Sequence, residues 1–127
     1  MEKEYQKLVH AWVTLARRSE KDHEILGAIP KEEFEYWDEL TDLVQSAPQK
    51  AWVLIKRITL LLSAEREYAY LSAGPFEDLL IKLGNDAEGF FQTEDQLILS
   101  KLLPYVWIRG LENSCREWVE NERKFIG

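Results

Sequence analysis

Few residues in this chain are of types that do chemistry unaided. It holds two histidines, His10 and His23, thirteen positions apart, and one cysteine, Cys115. A zinc site needs three or four converging ligands, commonly in closely spaced pairs, and neither histidine pairs with a second histidine or with the cysteine at such spacing, so no metal is expected. Cys115 falls among apolar residues at helical spacing, where a thiol behaves as a small hydrophobe. Without a second cysteine it forms no intrachain disulfide. There is no glycine-rich phosphate loop, nucleophile elbow or dinucleotide fingerprint, so no cofactor and no catalytic residue is assigned. One carboxylate pair stands out, Glu77-Asp78, directly after Gly74-Pro75-Phe76. Adjacent helical residues point about 100° apart and share a proton poorly. In the first turn of a helix both acids are favoured by the dipole, by about 0.3–1 kcal/mol, and capping explains them without a substrate. An enzyme using Glu77 and Asp78 beside an arginine or His10 is the alternative, and it demands a cleft with perturbed pKa values.

A second set of carboxylates is distinguished by number. The chain has 127 residues and a formal charge of −7. Between Glu20 and Asp42 lie nine acids and two bases, so this segment carries the whole excess and the remainder is neutral. It interleaves acids with Phe34, Tyr36 and Trp37. On a helix Glu32, Glu35 and Glu39 share one side, Tyr36 is adjacent to Glu32 and Glu39, and Asp38 and Asp42 belong to the same polar face. Like charges at this spacing repel by a few tenths of a kcal/mol per pair. A solvated, solubilising face accounts for them. An acidic face with aromatic anchors also suits a basic protein, since complementary charge speeds encounter and rejects wrong partners. Glu32, Glu35, Tyr36, Asp38, Glu39 and Asp42 are therefore the expected partner-binding residues.

The elements that must position these groups read as helices. Tyr5, Leu8, Val9, Trp12, Leu15 and Ala16 recur at three-and-four spacing over Glu2 to Arg18. After a polar connection containing Gly27 and Pro30, with a short turn around His23 to Leu26, the pattern resumes in Glu32 to Val44. Ser46 or Ala47 caps a third helix with Pro48 in its first turn. Its apolar side, Ala51, Trp52, Leu54, Ile55, Ile58, Leu61 and Leu62, is wide enough to place it centrally. Ser63 caps a fourth helix to Ser72, and Gly74 ends it in the left-handed conformation, with Pro75 opening the next. Gly84 stops that one, and Asp86 to Phe91 forms a short turn of helix. Thr93 and Gln96 match a capping box, Pro104 breaks the chain near Leu103, and a last helix runs from Tyr105 to about Lys124 with Trp107, Leu111, Cys115, Trp118 and Val119 on one side. No segment alternates as a strand does. The expected fold is all-α, one domain over residues 1–127, a compact bundle of six to eight short helices packed pairwise. Stacked helix pairs of the HEAT type are the other arrangement, although no repeat of fixed period occurs.

The stretch from Tyr70 to Ile81, with Ala73-Gly74-Pro75-Phe76-Glu77-Asp78-Leu79-Leu80 at its centre, resembles the signature Ala-Gly-Pro-Leu-Glu-Asp-Leu-Leu of a family of small, uncharacterised bacterial all-helical domains. Ala51-Trp52 and Trp107 match the family's flanking helices, so the resemblance spans about Pro48 to Leu111. Phe76 departs from the usual leucine, and residues 88–95 and the acidic N-terminal third lie outside the match. The family brings no established chemistry. Its members are similar in size and character to immunity proteins, which implies an accessory, binding role.

Composition bounds the rest. With 46% hydrophobic and 31% charged residues, the chain belongs to the folded class and at this length buries roughly two-thirds of its unfolded surface. No apolar run approaches the about 20 residues of a membrane span. An acidic, aromatic-rich chain disfavours nucleic acid. The first residues lack a secretory signal and the cysteine is solitary, so a cytoplasmic location is expected. The leading expectation is a non-enzymatic protein-binding module, most concretely an immunity-type protein that neutralises a basic toxin through its acidic face. A helical scaffold or oligomerising accessory, with Trp107, Trp118 and Phe125 on a hydrophobic surface, is the alternative from another class.

Overall fold

The computed structural model describes residues 2–21, 31–94 and 96–126, with side chains over 5–17, 35–94 and 96–124. The connection read around His23 to Leu26 lies outside the described residues. Among those described the fold is all-α, without a strand. Helix α1 (Glu2–Lys21) buries Leu8, Val9, Trp12, Val13, Leu15 and Ala16. That face packs on α2 (Lys31–Ser46), α3 (Pro48–Leu61) and α4 (Glu65–Leu71). Helix α3 also meets α5 (Glu77–Leu83) and α7 (Gln96–Leu102). A helix with this many neighbours is the centre of a bundle; in a solenoid each repeat touches only those beside it.

Helix α3 starts where proline predicts. Pro48 takes the first position, and Ala47, at φ −148° and ψ 70°, precedes it without a side-chain cap. Ser46 instead returns its hydroxyl to the carbonyl of Asp42 at 3.0 Å. At the start of α4 the cap comes from an unexpected residue. Ser63 does not supply it: the backbone N–H groups of Ser63 and Ala64 both donate to the carboxylate of Glu67, at 2.9 and 3.3 Å. Glu67 is only 4% exposed.

The motif from Ala73 to Leu80 breaks the helix at Gly74, but not in the expected left-handed conformation. Helices α4 and α5 (Glu77–Leu83) meet across a wide π-type turn, Ser72–Phe76, that is kinked at Gly74, where φ −110° and ψ −106° are neither helical nor left-handed. Glycine is required there by close approach: a Cβ would stand 3.1 Å from Cη2 and 3.2 Å from Cζ2 of Trp37. Trp37 in turn stacks on Trp12 at 4.4 Å between ring centroids, with Tyr70 edge-on at 5.2 Å. This cluster joins α1, α2 and α4. A second cluster, Trp52, Phe76, Phe91 and Trp118, joins α3 to the C-terminal half, with Phe91 and Trp118 parallel at 5.3 Å. Offset or edge-on aromatic pairs contribute about 0.5–1.5 kcal/mol each beyond the area they bury.

Gly84, at φ +55°, does end α5 through a conformation that side chains rarely adopt. A 3₁₀ turn (Gly84–Asp86) and the single-turn α6 (Ala87–Phe90) follow. Helix α7 begins at Gln96, so Thr93, three residues earlier in the turn, is not its cap. Pro104 breaks the chain as expected, in a 3₁₀ turn (Leu103–Tyr105). The last helix is shorter than its periodicity predicts: α8 is Asn113–Ile126, and residues 106–112 are irregular. Arg123 holds this break, donating from Nε to the Leu103 carbonyl at 2.9 Å and from Nη2 to that of Val106.

Candidate functional site

The carboxylates of α2 are arranged as a face. Glu35, Asp38, Glu39 and Asp42 are all exposed, and at 100° per residue they fall within an arc of about 100°. None of the four carboxylates forms an ion pair or hydrogen bond with a described residue. The opposite side of the helix, Trp37, Leu40 and Val44, packs into the core, which fixes the acidic side outward. Tyr36 is half-buried against core residues and so flanks this face rather than crowning it. Glu32 belongs to α2 by its backbone; its side chain, together with Asp22 and Glu24, lies outside the described residues.

Glu77 and Asp78 are differently placed. The kink at Gly74 leaves both acids in the first turn of α5, the position the helix dipole favours. The Glu77 backbone N–H donates to the carbonyls of Ser72 and Gly74. The Glu77 carboxylate also accepts the backbone N–H of Trp107, in the irregular 106–112 segment. Burial is the main cause raising its pKa, the Trp107 bond opposes this, and Asp78 adds to it. The Asp78 pKa is also raised by burial. These perturbations, which an enzyme reading would prize, thus have a structural source.

The other chemical candidates are distributed. Cys115 is buried, its thiol 3.9 Å from the Leu80 carbonyl and its pKa pushed up first by burial and then by Glu112. Both causes disfavour the thiolate. No three His, Cys, Asp or Glu side chains among the described residues could together hold a metal, and no described helix is long and apolar enough to cross a membrane. Trp107 is 67% exposed, whereas Trp118 is in the core, so these two do not form one hydrophobic surface; the Phe125 side chain lies outside the described residues. The basic pair Lys56-Arg57 splits. Lys56 bonds Glu94 at 3.2 Å and lies 5.7 Å from the Trp52 ring centre, while Arg57 is exposed.

Two of the concavities among the described residues bear on the site. One, of about 470 Å³, is lined by Gln6, Val9, His10, Arg57, Leu60 and Leu61, between α1 and α3. The other, of about 360 Å³, has Glu88, Gln92, Gln96 and Glu122 around Phe91 and Trp118. Neither is lined by Glu77, Asp78 or the α2 acids. Sequence reasoning missed the first. Leu61 is read there as a core residue, yet Leu60 and Leu61 are 64% and 46% exposed. The available signal was the width of the α3 apolar stripe, too broad to be buried on every side.

Comparison with family models, with curated proteins and with solved structures finds no match to this chain.

Proposed function

We propose that the chain is a cytoplasmic, non-enzymatic protein-binding module of the immunity type, which neutralises a basic toxin through the acidic face of α2. The observation that carries the reading is that Glu35, Asp38, Glu39 and Asp42 stand exposed and unpaired on one face of a helix whose other face is locked into the core. Four like charges so placed repel one another, and a complementary surface converts that repulsion into attraction. Steering of this kind raises association rates about 10–10³-fold at low salt and fades as ionic strength rises. The signature-like motif from Ala73 to Leu80 adds the resemblance to small accessory domains.

Co-expression with the product of the adjacent gene, expected to be a basic toxin, tests the reading. The expected result is a co-purifying complex and relief of that protein's toxicity, with the E35K/E39K variant slowing association at least about tenfold at low salt. A folded E35K/E39K variant that protects as well as the wild type, or absence of any complex with a basic partner, would overturn it.

A further inference from the structure

The groove between α1 and α3 differs in character from the acidic face. Val53, Arg57, Leu60 and Leu61 fall within an arc of about 100° on α3, and the three apolar residues among them are exposed. Across the groove α1 contributes Gln6, Val9 and His10. Two arginines and a histidine stand near this end of α3. Arg17 is engaged, donating to the Leu61 carbonyl at 3.4 Å. Arg57 and His10 have no side-chain partner among the described residues, in a chain where acids outnumber bases 23 to 16. A volume of about 470 Å³ falls in the range of about 300–1,000 Å³ usual for small-molecule sites, which pair an apolar lining with a few polar groups that fix orientation.

From this juxtaposition of an unpaired arginine and an imidazole with exposed leucines in one concavity, we infer that the groove binds a free anionic amphiphile: a carboxylate-headed aliphatic chain, its head on Arg57 and His10 and its tail on Val9, Leu60 and Leu61. Charge complementarity selects the head, because the permanently charged Arg57 fork matches a carboxylate. The exposed leucines select the tail, because covering them removes apolar surface from water. The site does not depend on the acidic face, and a basic partner would be repelled from it.

The test is calorimetric titration of the full chain with monomeric dodecanoate below its critical micelle concentration, with dodecyltrimethylammonium in parallel. Saturable one-to-one binding of dodecanoate is expected, with the cationic analogue at least about tenfold weaker and R57Q weakening dodecanoate by about tenfold. The His10 ring proton should shift in the NMR spectrum on dodecanoate addition, and L60N should weaken binding of the same probe. No saturable binding, equal binding of the two amphiphiles, or an R57Q protein with unchanged circular dichroism that binds as tightly as wild type would overturn the proposal. So would adsorption to phosphatidylglycerol vesicles without binding of the monomer.

Discussion

Helices α2 and α5 both present carboxylates that could be read as chemistry, and their surroundings are opposite. On α5 the acids are half-buried, their pKa values raised, and Glu77 holds a backbone N–H of a distant segment. On α2 they are exposed and hold nothing among the described residues. Glu67 is a further buried carboxylate, its Oε1 accepting two backbone donors. The difference teaches that a buried acid in this fold marks a joint in the chain, and an exposed, unpartnered one marks a surface left open. Removing each acid should therefore damage stability in one group and association in the other.

The largest loss is expected at Glu67. E67A strips the acceptor from two N–H groups at the start of α4, and bonds to a charged group contribute about 1.5–3 kcal/mol. A drop of about 2–3 kcal/mol in urea-unfolding free energy is expected, most of it restored in E67Q, whose amide oxygen still accepts. Next is E77A, which frees the Trp107 amide. A cost of about 1 kcal/mol should come with faster hydrogen exchange at that amide, whereas E77Q keeps both protection and stability.

Asp78 gives a smaller effect with a defined pH dependence. A carboxyl whose pKa is raised by folding binds its proton more tightly in the native state, so its contribution to stability is lost as pH rises through the folded pKa. D78N should therefore melt above the wild type at about pH 7, with the gain shrinking as pH falls below the unfolded value of about 3.9, where the acid is protonated in both states. Scanning calorimetry across that range checks the sign. The smallest stability change belongs to α2: E35Q/E39Q should stay within about 0.5 kcal/mol of wild type, or rise by a few tenths as repulsion is relieved, while binding of a basic partner falls. A large destabilisation there would erase the contrast.

The helical core was legible because burial writes its period into the chain. Leu8, Trp12, Leu15, Leu40, Val44, Ile55 and Ile58 all face inward where spacing predicts. Where the pattern misled, a tertiary contact had overridden a local rule. Trp107 matches the period of α8 by coincidence, and the irregular stretch it sits in is held by the Glu77 carboxylate and by Arg123, partners no local window contains. Gly74 does break the helix, though not in the left-handed conformation, and it also makes room for a tryptophan 37 positions earlier. The Glu67 cap was within reach, since Glu stands three residues after Ala64 as in a capping box, but the serine beside it drew the assignment. Of the candidate site, the acidic face was readable from charge and period together. The α1–α3 groove was not, because whether a wide apolar stripe is covered depends on helices whose packing no single segment encodes.

Trp37 sits on the inner side of the same helix whose outer side bears the acids, stacked on Trp12 and against Tyr70. Two indoles so close couple their electronic transitions, and the coupling depends on their separation and mutual tilt. A partner that grips α2 from outside and shifts it against α1 must change that geometry. The near-ultraviolet dichroism and emission of this pair therefore form a built-in optical gauge, able to register docking on the acidic face without any label attached to it.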